Sequence, residues 1–263
     1  MIKKELKNNY KSLLIWSAVM TFLYLLVFII YPVIIDKLEP GLLEEYLKVL
    51  PEEMLKIMNF DIVDIMSAFG WFKSEGYIML ILVGGIYSGI VGGNIMLKEE
   101  NDGTINYLLS KPISRNKILF SKILSGLILI TSFVGIITLV NFIGFEMIGD
   151  YNRTIFFLLI LGSLIVMYVI FFISLLISSF FRKNKMTTSL TIGFVFLSYI
   201  LQLMGGLSDK FSWLANLSVF ELANGRMIIK DQKLSIITII ISLCIIILSL
   251  IYTVIRYKDK EFY

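Results

Sequence analysis

Histidine is absent from the chain and there is one cysteine, Cys244. The commonest general base and metal ligand is therefore missing, and neither an intramolecular disulfide nor a multi-cysteine metal site is open to the chain. Chemistry would have to come from carboxylates, lysines and arginines, and these crowd into residues 98–122, KEENDGTINYLLSKPISRNKILFSK. Glu99, Glu100 and Asp102 precede Gly103 and Thr104, after which Ile105, Tyr107, Leu108 and Leu109 offer an apolar face to a short amphipathic helix. Lys111-Pro112 ends that helix, since the residue before a proline avoids the α region, and Ser114 is placed to cap the next one. Apolar knobs with flanking charges suit docking into a groove on a soluble partner. Periodicity alone fits equally well a helix lying on a membrane surface with its lysines and arginines snorkelling.

The elements that must carry this segment follow from composition. Of 263 residues 57% are apolar, 14% aromatic and 17% charged, against roughly 25% charged in a soluble domain, and the mean hydropathy is +0.85. One soluble core of this length cannot hide that excess. Six windows between ionisable residues contain no charge: 12–35, 76–97, 123–145, 154–181, 186–208 and 234–255. Each exceeds the ~20 residues that a helix needs to cross ~30 Å of hydrocarbon, and none alternates as a barrel strand would. The expected fold is all-α: a single transmembrane domain, 1–263, with six spanning helices. The first apolar run is too long for a signal peptide and no small-x-small cleavage site follows it, so it is expected to remain as a helix.

Orientation follows from lysine and arginine counting. With the N-terminus inside, the inner segments hold 15 of the 24 basic residues and 6 acidic ones, a net +9; the outer segments hold 9 basic and 14 acidic residues, a net −5. Both termini and residues 98–122 are thus expected in the cytoplasm. Residues 1–11, with Ile2, Leu6 and Tyr10 on one face among lysines, read as an interfacial elbow helix, or simply as a positive-inside anchor. Arg182, Lys183 and Lys185 read as a topogenic cluster.

Charge-free windows argue against proton relays, charged filters and voltage sensors, which need ionisable groups inside the membrane. No intramembrane protease site or other cluster of catalytic groups is present, and no GxxxxGK[ST] phosphate loop occurs. Energy for any uphill transport must come from a partner. In the second window Gly85, Gly89 and Gly93 recur every four residues on one face, a spacing that lets helix backbones approach closely. This reads first as packing within the bundle and second as a moving interface. Asn94, Asn141 and Gln202 read as interhelical hydrogen-bond partners, and Gly205-Gly206 as a break near the end of the fifth span. The outer loop 36–75 reads as helical: one apolar face at Leu42, Leu43, Tyr46, Leu47 and Leu50, then a helix opened by Pro51 with Glu52 and Glu53, the pattern continuing through Phe69, Trp71 and Phe72. These helices are expected to lie on the outer leaflet, cap the bundle or act as a lid. In loop 208–233, Phe211, Trp213, Leu214 and Phe220 are expected to dip back into the interface.

The string E-x-D-G-T-x-x-x-L-L-S-x-P-I-S-R-x-x-I-x-x-x-K at Glu100–Lys122 resembles the coupling segment of ABC type-2 permeases, the exporter-type membrane subunits of ATP-driven transporters. Leu50-Pro51-Glu52-Glu53 and Glu75-Gly76-Tyr77 are similar to one branch of that family. The resemblance implies a cytoplasmic coupling helix between spans two and three, with Glu100, Asp102, Gly103, Thr104, Leu108, Leu109, Pro112, Ile113, Ser114 and Arg115 at or near an ATPase. It further implies a second permease copy, identical or related, and two ATPase subunits carrying ATP and Mg. No cofactor or metal on this chain, no catalytic residue and no nucleic-acid partner are expected. The setting implied is the bacterial plasma membrane. A path lined by neutral side chains suits an amphipathic or hydrophobic cargo such as an antimicrobial peptide, lipid or drug. The alternative is a non-transporting sensor, immunity or scaffold subunit.

Overall fold

The structure, a computed structural model, describes residues 1–37, 67–105, 110, 112–149, 151–207 and 209–259. Leu108, Leu109 and most of the outer loop, including Pro51, lie outside the described residues. The described residues form helices α1 (Ile2–Lys37), α2 (Ala68–Trp71), α3 (Tyr77–Asn101), α4 (Arg115–Ile148), α5 (Arg153–Phe180), α6 (Asn184–Leu207), α7 (Ser212–Ala215), α8 (Gly225–Asp231) and α9 (Ile236–Asp259), with no strand. Six helical stretches are long and apolar enough to span a membrane. Lipid offers backbone N–H and C=O groups no partner, so each apolar run must satisfy its own ladder as a helix.

α3 and α5 form the centre: 61% and 67% of their most apolar windows are buried, against 17% for α1, α6 and α9. α5 packs along α3, α6 lies on α3, α9 on α5, and α1 on α4. The starts of α1, α4 and α6 and the ends of α3, α5 and α9 share one face, called here the terminal face. There Arg115 bonds to Lys258 at 2.8 Å, and the Arg256 guanidinium lies 4.8 Å from the Phe180 ring centre.

The opposite, distal face is closed by aromatic residues. Phe69, Phe72, Phe145, Tyr151 and Phe156 pack stacked, edge-to-face or tilted at 5.3–6.3 Å between ring centres, arrangements that add to the burial of their area. The buried Tyr24 hydroxyl donates to the Gly76 carbonyl at 2.7 Å and pins α1 to the start of α3.

Three expectations are corrected. No separate elbow precedes the first span: α1 runs unbroken from Ile2, because residues 2–31 contain no glycine or proline to stop it. The second membrane helix starts well before residue 76: Ser67 caps α2 by accepting the Gly70 N–H at 2.9 Å, and one π turn at Phe72–Gly76 joins α2 to α3. Lys73 is accommodated in that turn, its ammonium 5.7 Å from the Phe69 ring centre. Gly205 and Gly206 do not break α6, which continues to Leu207. Gly205 instead admits the backbone of α7: a Cβ there would stand 2.5 Å from the Ala215 nitrogen. Of the residues expected to dip into the interface, Phe220 is instead buried within the bundle, whereas Phe211 and Trp213 are exposed on its surface.

Candidate functional site

Residues 98–122 leave and re-enter the bundle at the terminal face. α3 ends in a Schellman turn: Thr104 N–H donates to Glu99 O at 2.8 Å and Gly103 N–H to Glu100 O at 3.4 Å. The turn needs a residue in the left-handed region at C′, and Gly103 supplies it with φ +67°. Asp102, Gly103 and Thr104 are exposed beyond the helix end, Glu100 is half-buried and Ile105 is buried. On the return, Pro112 is exposed and Ile113 half-buried. Ser114 caps α4, its Oγ accepting the Lys117 N–H at 3.4 Å. Arg115 is exposed, and its Nη1 donates to the Lys258 carbonyl at the end of α9. Replacing Gly103 by Val is expected to cost about 1–2 kcal/mol, the strain of a side chain in the left-handed region. Hydrogen exchange should show that cost as faster opening of the last turn of α3, with the rest of α3 unchanged.

Beneath this exposed segment the structure assembles a buried ionic cluster that sequence reading had left as flanking charges. Lys122, 1% exposed, donates to the Glu99 carboxylate and to the Ile95 carbonyl, and its ammonium lies 3.7 Å from Glu5 Oε1. Glu5 is 2% exposed, and its Oε2 accepts no hydrogen bond among the described residues. Tyr257 of α9 is buried within electrostatic reach of Glu99, Glu5 and Arg115. Ends of α1, α3, α4 and α9 therefore meet at one point, directly under the turn that presents Asp102-Gly103-Thr104. A signal for Lys122 was present: it shares a helical face with Ile118, Leu119, Ser125 and Leu129, all buried. Glu5 lies far from its partners in sequence and had no comparable signal.

Gly85, Gly89 and Gly93 face α5 and α6 inside the bundle. A Cβ at Gly85 would stand 2.9 Å from Ile170, at Gly89 2.5 Å from Thr191 and at Gly93 3.1 Å from Thr187. Ser174 donates to the Gly89 carbonyl at 2.6 Å and lies 3.1 Å from the Thr191 hydroxyl. Asn94 does bond between helices, accepting from Thr188 at 3.2 Å. Asn141 turns back to its own helix, donating to Ile137 O at 2.9 Å, and Gln202 lines a cavity at the distal face. Among the described residues no group of three histidines, cysteines or carboxylates is placed to hold a metal.

The sequence matches the ABC-2 family transporter proteins over residues 1–262, nearly the whole chain. The chain belongs to the ABC-2 transporter family. ABC-2 permeases are membrane transport subunits, in general without a catalytic centre of their own, and the six apolar helices fit a multi-pass membrane protein of this kind. No curated protein matches the chain. Family membership gives the exposed turn at Asp102–Thr104 and the cap at Ser114 a context: in this ABC-2 permease they stand at the face where α1, α4 and α6 start and α3, α5 and α9 end.

Proposed function

We propose that the chain is the permease of an ATP-driven exporter. Two copies, or this chain and a related one, join two ATPase subunits that carry ATP and Mg, and together they move an amphipathic or hydrophobic cargo such as an antimicrobial peptide, lipid or drug. In this reading the terminal face is cytoplasmic in a bacterial plasma membrane, and residues 98–122 contact the ATPase. The observation that supports it best is the Glu100–Arg115 stretch. Its Asp102, Gly103, Thr104, Pro112, Ser114 and Arg115 are exposed, while the stretch starts beside the buried Glu99–Lys122 pair and ends on a bond to the last turn of α9. An exposed segment on a rigid footing transmits a push from a partner instead of absorbing it.

Co-expression with a candidate ATPase encoded beside this chain tests the reading. Arg115→Glu is expected to insert and fold, losing the exposed bond to the Lys258 carbonyl, and to weaken ATPase co-purification about tenfold or more. A hydrogen bond to a charged group is worth roughly 1.5–3 kcal/mol, and each 1.4 kcal/mol is tenfold in affinity. Unchanged co-purification together with unchanged transport would overturn the assignment.

A further inference from the structure

At the distal face a cavity of about 380 Å³ lies between α3, the end of α6 and the folded segment 209–231. That is within the range of small-molecule sites, roughly 300–1,000 Å³. Its walls are built, not incidental. Tyr77 donates to the Ala223 carbonyl at 2.7 Å from a fully buried position, and Gly225 lets the Tyr77 ring sit where a Cβ would be 2.9 Å away. Asn224 holds the Glu221 carboxylate and caps the short helix that carries Arg226. Its Nδ2 donates to Glu221 Oε1 at 2.8 Å, and its Oδ1 accepts the Arg226 backbone N–H at 3.0 Å.

The polar groups around this pair include the Gln202 and Asn216 carboxamides, which make no side-chain hydrogen bond among the described residues. Burial pushes the Arg226 guanidinium below its usual range, with the Glu221 carboxylate opposing the shift. A purely anionic headgroup would meet Glu221, and a purely cationic one would meet Arg226. Apolar side chains complete the wall: Ile78 and Leu203 are half-buried and Met227 is exposed.

We propose that this cavity binds the zwitterionic headgroup of an amphipath, a phosphate at Arg226 and an ammonium at Glu221, with its tail along Ile78, Leu203 and Met227. The site deepens the permease reading by giving its amphipathic cargo a chemical class, and it rests on that reading only for its place on a transport route.

Binding is measured on the purified chain without any ATPase, by native mass spectrometry. The probes are short-chain phosphatidylethanolamine, short-chain phosphatidylglycerol and free phosphoethanolamine. The zwitterionic lipid is expected to fill one site about tenfold more tightly than the anionic one. Free phosphoethanolamine should bind more weakly, which separates a lipid from a small soluble headgroup as the source. Arg226→Gln should erase the preference. Gln202→Ala, which removes no internal bond, should weaken binding several-fold while leaving thermal stability unchanged. Equal affinity for both lipids, or binding unaffected in both variants, overturns the proposal. Either result leaves the Arg115→Glu docking outcome standing, so failure of the site and failure of the permease reading are told apart.

Discussion

Lys122→Met is expected to lower the stability of the permease by about 3–5 kcal/mol, the cost of removing one partner from a buried ion pair. The size follows from what the substitution leaves behind. Lys122 is the cation that faces the carboxylates of Glu5 and Glu99, and both lie against it in a nearly solvent-free pocket. With both carboxylates ionised the cluster already carries one negative charge more than it has positive. Without the ammonium, two carboxylates would face each other with only the weaker influence of Lys98 to offset their desolvation, and the Ile95 carbonyl would lose its donor as well. The damage should fall on the footing of the Asp102–Thr104 turn, because Glu99 is the residue whose carbonyl closes that turn. Thermal unfolding of the detergent-solubilised protein checks the prediction. The triple variant Glu5→Gln, Glu99→Gln, Lys122→Met should regain most of the loss, since it buries no net charge. A single variant that melts with the parent would show that the cluster contributes nothing.

The six spans were legible because lipid leaves helix as the only outcome for a long apolar run, whatever its neighbours. The ends of 98–122 were legible for a similar reason. Gly103 and Ser114 act through their own backbone and nearest turn, and local rules suffice for them. The coupling helix expected between them falls at 106–109 and 111, outside the described residues. What was not legible is whatever depends on which helices meet. Lys122 bounds a charge-free window, Glu99 lies next to the residue that bounds another, and Glu5 sits among the N-terminal lysines; from sequence alone a charge in such a position reads as a solvated flank. Only the packing of α1 on α4 and of α3 on α4 places the three together. The distal cavity was hidden for the same reason. Gln202 and Arg226 are separated by a segment whose short helices fold back only because Gly205 and Gly225 admit close neighbours. Asn94 and Asn141 show the limit within one rule: the same residue type bonds across helices at one position and along its own helix at the other.

Gly92→Ala is expected to be the most damaging single-methyl change in α3, although Gly92 lies off the Gly85-Gly89-Gly93 row that the sequence brings forward. A Cβ at Gly92 would stand 2.7 Å from the backbone oxygen of Phe171 and 3.0 Å from Ser174 Cβ. A backbone carbonyl inside a helix ladder has nowhere to turn, so α3 and α5 themselves must separate. These are the two most buried helices of the bundle, and overpacking of such a core costs roughly 1–3 kcal/mol. Gly84 makes the contrast within the same helix: its nearest obstacle is the end of the Met167 side chain, a flexible group able to swing away. Gly135 in α4 has nothing within 4 Å, so Gly135→Ala should leave the melting temperature unchanged or raise it, as the helix preference of alanine over glycine is about 1 kcal/mol. The order expected in thermal unfolding is Gly92→Ala well below Gly84→Ala, with Gly135→Ala at or above the parent. Because Ser174 also donates to the Gly89 carbonyl one turn away, a shift of α5 at Gly92 should loosen that bond too, and hydrogen exchange at the centre of α3 would register it. Equal melting of the Gly92 and Gly135 variants would mean that the α3–α5 contact is loose enough to absorb a methyl group, and the tight central pair described here would then be wrong.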